Sequence, residues 1–307
     1  MKEMKNTTEG TPAALEAQLD PPIDISGIAH EKDEAKLNAL VFELYKEALS
    51  VVNLAAHILD EAASIKGGWP RNQAICAGLM VRITKFMLVV VQLSAKGNRF
   101  EVVAALNRSI MESAVNLEFL VRKNDERFFD QFVKFSLGPE RELYDLIKAN
   151  IEARNGEVWP IELRMLKSID DVCRISGVKI EDAERKYGDW GGGVKERLKA
   201  LNKEEQYVSM QRIPSHAVHG TWVDLCQYHL KHDAKVDLFA PDNSFDWVDA
   251  RALSQIAVVA LDAVKPYIEL YLADVPESKV ISDRVVDLQK RMLMVDAAHE
   301  ELLSKSK

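Results

Sequence analysis

The stretch NRFEVVAALNRSIMESAVNLEFLVR, residues 98–122, decides the fold. Between Val102 and Leu117 it is apolar nearly all round, and its only charges are Arg108 and Glu112. No apolar–polar alternation runs through it, and an apolar run of this length reads as a buried helix. Asn98 has the chemistry of an N-cap, and Glu101 three residues on completes a capping-box pattern. The preceding stretch, residues 74–95, is equally apolar but carries Arg82 and Lys85 near its middle. Charges at mid-depth are costly in a bilayer, so this too reads as a buried helix and not a membrane span.

Helical periodicity continues on both sides. Leu37, Leu40, Val41, Leu44, Ala48, Val52, Ala55 and Leu59 recur at three- and four-residue steps, until Gly67-Gly68-Trp69-Pro70 ends the pattern. Asn124 opens a helix with Phe128, Phe129, Phe132 and Phe135 on one face, and Gly138-Pro139 breaks it before the pattern resumes towards Ala153. Shorter helices are expected over 160–176, 180–186 and 195–201, with Tyr187 to Gly193 as the least regular loop. Helix is expected again over 204–232, interrupted at Pro214, and over 246–272 with a kink at Pro266; residues 237–244 read as a loop. The last helix, about 278–303, carries the stripe Ile281, Val285, Leu288, Met292, Val295, His299 and Leu302. Leu293 and Met294 lie off the stripe and suggest burial on more than one side.

No strand pattern and no internal repeat is visible. The expectation is an all-α multi-helix bundle with long central helices. Residues 1–30 read as a disordered, mobile leader, 31–275 as the bundle domain, and 276–307 as a C-terminal amphipathic helix that docks on the bundle or pairs two copies as a homodimer. The composition agrees: Gly (14) and Pro (10) are scarce for 307 residues, as long helices with few turns require.

A net charge of −8 excludes a surface that attracts nucleic acid as a whole, because phosphate binding rests on Lys and Arg. Residues 1–20 lack the basic and apolar regions of a signal peptide. Cys76, Cys173 and Cys226 are few, odd in number and far apart, so they read as small hydrophobes in a reducing compartment. A cytoplasmic protein without membrane contact, metal or cofactor is expected.

Two polar constellations stand out. Arg108 and Glu112 are four apart, share a helix face, and in so apolar a helix either pair or line a polar cavity. The second is Tyr207 to Gly220, with Arg212, Pro214, Ser215, His216 and His219. Pro214 suits a first helical turn, which puts Ser215 and His219 on one face, one turn apart. A Ser–His nucleophile would need an orienting acid and an oxyanion hole, and neither is visible. His216 and His219, like His229 and His232, lack the one-face spacing of helical metal ligands. Gly191-Gly192-Gly193 reads as a turn in preference to an anion nest. Arg212 and His219 also resemble the Arg-x4–6-His motif of HEPN-type ribonucleases, which implies metal-free RNA cleavage with His in proton transfer and Arg on phosphorane charge.

Taken together, Arg108-x3-Glu112 within the block from Ala77 to Leu120, and Tyr207…Arg212-x2-Ser215-x3-His219-Gly220 after Trp190, resemble a family of prokaryotic helical proteins known as domain of unknown function 5677. The resemblance spans about residues 35–270. It implies that Arg108, Glu112, Arg212, Ser215 and His219 form one site. Three functions remain open: a sensor or adaptor that binds a small anion, nucleotide or partner; a metal-independent HEPN-like ribonuclease acting as a toxin or in phage defence; or a structural polar network with its function elsewhere.

Overall fold

The computed structural model describes residues 19–58, 67–95, 100–183, 190–246 and 248–305. The expected N-cap at Asn98, most of the leader, Leu59 and Tyr187 to Asp189 lie outside the described residues. The chain divides into two compact units, one of residues 1–122 with 198–307 and one of residues 123–197.

The first unit is built on α1 (Glu34–His57), whose N-cap Asp33 accepts from the Ala35 amide at 3.0 Å. Leu37, Val41, Leu44, Ala48, Val52 and Ala55 are all buried, as their spacing requires, and Tyr45 and Val51 widen the buried face. That width lets α1 pack against α2 (Arg71–Ser94) and against two late helices introduced below. Among the described residues, α2 is the one helix long and apolar enough to cross a membrane. In the fold it buries Cys76, Ala77, Met80, Ile83, Met87 and Val90, while Leu88 and Val89 stay exposed.

The decisive stretch forms α3 (Phe100–Lys123), which buries Val103, Ile110, Met111, Ala114, Leu117 and Leu120. Arg82 of α2 donates to Ser113 of α3 at 3.1 Å. Lys203 reaches Glu118 at 2.7 Å and Asp262 at 2.8 Å, tying α3 to the late helices.

In the second unit, α4 (Glu126–Ser136) is capped by Asp125, one residue later than expected, because Asn124 takes a left-handed φ of 43°. Phe129 is fully buried, and Phe132 meets Trp190 edge-on at 4.8 Å. Pro139 falls in the first turn of α5 (Gly138–Ala153), where its missing N–H is harmless. Helix α6 (Pro160–Ser176) also starts on proline and ends at Gly177, φ 66°. Glu162 steadies that start, accepting from the Trp159 amide at 2.9 Å and from Arg154 at 2.6 Å. A short helix α7 (Val194–Ala200) follows.

Residues 204–232 do not form the expected helix with one interruption. They form a π-helical turn (Val208–Arg212), α8 (Ser215–His219), and α9 (Trp222–Asp224) running into a second π-helical turn (Leu225–His229). Pro214 cannot donate an amide, and Gly220 at φ 56° ends α8, so no continuous hydrogen-bond ladder spans the stretch.

The expectation of no strand also fails locally. β1 (Leu230–Asp233) pairs antiparallel with β2 (Leu238–Pro241), with Leu230 opposite Pro241 and Asp233 opposite Leu238. The reversal is made by Asp233, which accepts from the Lys235 amide at 2.9 Å, and by Asp237 at φ 53°.

Helix α10 (Ala250–Tyr271) contains Pro266, and α11 (Pro276–Lys305) closes the unit. Ile281, Val285, Leu288, Met292, Val295 and His299 are buried, and α11 packs on α1 and α10, so the stripe docks on its own bundle. Leu293 and Met294, expected to add a second buried side, are exposed. The face between the stripe and α1 is occupied instead by a charge clamp. Arg291 holds both carboxylate oxygens of Glu47, and Arg284 donates to the same carboxylate at 2.8 Å. Each of Glu47 and Arg291 is only 7% exposed. The chain before α1 is fastened at points: Arg284 donates to the Asp20 carbonyl at 3.0 Å, and Leu19 and Ile28 are buried.

Candidate functional site

Arg108 and Glu112 are both half-buried on α3, but among the described residues no ion pair joins them. Four-residue spacing does form ion pairs elsewhere in the chain, Glu118 with Arg122 at 2.9 Å on the same helix and Arg141 with Asp145 at 3.1 Å on α5. Arg108 is left with a buried Nε that has no hydrogen-bond partner. Asn116, one turn past Glu112, likewise keeps a buried amide oxygen unpartnered. Of the two arrangements open from the sequence, pairing or lining a polar cavity, the pair is not formed, and this helix face keeps unused polar capacity.

The segment from Tyr207 positions its groups differently. Arg212, at the end of the first π-helical turn, is exposed, and so is His219 at the end of α8. Ser215 is half-buried, and its hydroxyl donates to the Gln211 carbonyl at 2.5 Å. His216 Nδ1 lies 2.7 Å from Thr221 Oγ1, which ties the start of α8 to the residue after Gly220. Among the described residues, no hydrogen bond or ion pair connects Arg108 or Glu112 with Arg212, Ser215 or His219.

The other histidines of the segment hold structural positions. His229 lies 3.4 Å from Asp224, and His232 lies 2.8 Å from Asp237 across the hairpin turn. No group of three His, Cys, Asp or Glu side chains among the described residues could hold a metal ion. At the Gly191–Gly193 run, Arg197 donates to the Gly192 carbonyl, and a Cβ at Gly192 would lie 2.9 Å from the Glu196 side chain.

Sequence reasoning missed the apolar surface around these residues. Val208, Ile213, Trp222, Val236, Leu238 and Phe239 are all exposed, Trp222 and Val236 at 60% and Leu238 at 64%. Two of them are in contact: Trp222 meets Phe239 edge-on at 5.4 Å, and His232 lies over the same ring at 4.6 Å. Val208 lies in the first π-helical turn, Trp222 leads into the second, and Leu238 and Phe239 lie on the hairpin, so the irregular elements carry this exposed apolar surface. The signal available in the sequence was Gly220-Thr221-Trp222, a large aromatic two residues after a helix-ending glycine. π-helical turns are rare and concentrate at functional sites.

A negative region surrounds Tyr228 in the second π-helical turn. Burial first, and then the charges of Asp246, Asp224, Glu101 and Asp249, push the Tyr228 hydroxyl up to about 12. Glu101 and Asp224 are themselves buried, each with one carboxylate oxygen lacking a hydrogen-bond partner. Phe100 packs against Tyr228 at 5.7 Å, so α3 and the second π-helical turn meet here.

An all-α bundle with Arg108-x3-Glu112 on one long helix and a broken Tyr-Arg-Ser-His-Gly segment later defines a class of helical protein. The chain belongs to a family of unknown function (DUF5677), whose model matches residues 73–236, over half of its length. No curated protein and no solved structure matches it.

Proposed function

We propose that the chain is an adaptor or sensor that works by binding a protein partner through the segment 207–246, with Arg212 and His219 as polar contacts within an apolar surface. The carrying observation is the contact between two exposed aromatics, Trp222 inside the family-matched region and Phe239 just beyond it. Apolar patches of this kind mark interaction sites, and exposed Trp and Arg are the residue types that anchor them. A protein partner fits better than nucleic acid, because residues 207–246 carry three Lys or Arg against five Asp. Ser215 does not favour nucleophilic chemistry, since its hydroxyl is committed to a backbone carbonyl.

The test is affinity capture from extracts of the source cell, followed by calorimetric rebinding of the purified captured protein. Trp222→Ser with Phe239→Ser should abolish rebinding, and Arg212→Ala with His219→Gln should weaken it, all without a change in melting temperature. Rebinding that survives both pairs of substitutions overturns the proposal. Cleavage of RNA by the wild-type chain that is lost in His219→Gln would replace it with the ribonuclease reading.

A further inference from the structure

The second unit contains a cleft of about 430 Å³ between α5, the C-terminal half of α6 and the chain that follows Gly177. That volume falls within the range of small-molecule sites, roughly 300–1,000 Å³. Its walls are apolar: Tyr144, Leu166, Ile169, Val178 and Ile180, with the Cys173 thiol among them. Ile169, Cys173 and Ile180 belong to the buried cluster of the unit and pack with Leu137 and Ala183, so the floor is rigid and not a surface dimple.

The charges at the cleft select the ligand. Asp170 and Glu181 line it, as do Arg174 and Lys179. Arg174 is engaged by Asp171 at 3.2 Å, and Lys179 is exposed. At the floor, after burial, the charges of Asp170, Glu140 and Glu181 each push the Cys173 thiol upward. Glu140 also keeps a buried carboxylate oxygen without a hydrogen-bond partner. Asp170 and Glu181 stand at the exposed rim beside the apolar wall, where they can meet a positive charge whose body is seated in the cleft.

We propose that this cleft is a binding site for a small organic cation, a protonated amine carried on a short alkyl or aryl body. The body packs against Tyr144, Ile169, Val178 and Ile180, and the ammonium is held by Asp170 and Glu181. The site lies wholly within residues 123–197 and is independent of the partner surface at 207–246.

The experiment is calorimetric titration of the full chain with hexylammonium, hexanol and hexanoate. Hexylammonium should bind at least about tenfold more tightly than hexanoate, the difference that a single favourable charge contact can supply. Asp170→Asn with Glu181→Gln, at two exposed positions that leave the core intact, should erase that preference. Val178→Trp should fill the cleft and abolish binding of all three compounds, while Trp222→Ser should leave the amine affinity unchanged. Hexanoate binding as tightly as the amine, or an amine preference that survives Asp170→Asn with Glu181→Gln, overturns the proposal. Loss of amine binding in Trp222→Ser overturns it as well, by placing the amine elsewhere. If Val178→Trp fails to fold, the carboxylate pair decides alone.

Discussion

Glu47→Gln is the sharpest probe of how the ends of the chain are fastened. Glutamine keeps the size of the side chain but removes the charge that Arg291 grips with two hydrogen bonds and Arg284 with one. Arg291 keeps Asp287, at 2.7 Å, and Arg284 keeps the Asp20 carbonyl. Removing one member of a buried pair costs about 3–5 kcal/mol, and the surviving contacts place this case near 3 kcal/mol. For a unit of this size that is a fall of roughly 6–12 °C in melting temperature. The pH dependence has a definite sign. Burial alone would raise the Glu47 carboxyl, but hydrogen bonds from Arg291 and Arg284, the Arg291 charge and the Ile23 amide outweigh it and hold the group below its ordinary range. A depressed carboxyl stabilises the fold above its unfolded pKa, and that stability is lost as pH falls through the folded value. The gap between wild type and Glu47→Gln should therefore be full at pH 7 and narrow as pH falls below about 4.3. Thermal melts followed by circular dichroism at pH 7 and pH 3 measure both. Equal melting temperatures at pH 7, or a gap that does not narrow in acid, would refute the clamp.

Arg108 and Glu112 should behave oppositely, because they are not joined: a double-mutant cycle of Arg108→Met and Glu112→Gln should give a coupling energy below about 0.5 kcal/mol in thermal melts. Coupling of several kcal/mol would mean that the two charges pair in solution. Truncation after Pro276 removes a helix whose stripe is buried against α1 and α10, so the product should lose its cooperative melt; a cooperative melt with wild-type midpoint would show that α11 is dispensable. Burial pushes the Cys76 thiol up to about 12, against a hydrogen bond with Tyr271, so alkylation at pH 8 followed by peptide mass spectrometry should modify the half-buried Cys226 well before Cys76. Equal rates would contradict the packing of α2 against α10.

What the sequence determined by itself was the part governed by local periodicity. The rows Leu37 to Ala55 and Ile281 to His299 are each buried along one helix face, because a three- and four-residue repeat needs only its own helix to align it. Proline and glycine positions also worked locally: Pro139, Pro160 and Gly177 stand at the helix ends their backbone chemistry dictates. The pairing of Glu47 with Arg291, some 240 residues apart, had only a faint signal, a charge at core spacing on each of two apolar stripes. Tertiary packing decided that these two charges face each other, and that Arg108 and Glu112, four residues apart, do not. It also decided the segment 204–241. There the helical pattern competes with Pro214, Gly220 and the Asp233 turn, and the resulting π-helical turns and hairpin carry Trp222, Leu238 and Phe239 outward. Periodicity states which residues share a face. Which face meets another element, and which meets solvent, depends on partners distant in the chain, and local spacing carries no record of them.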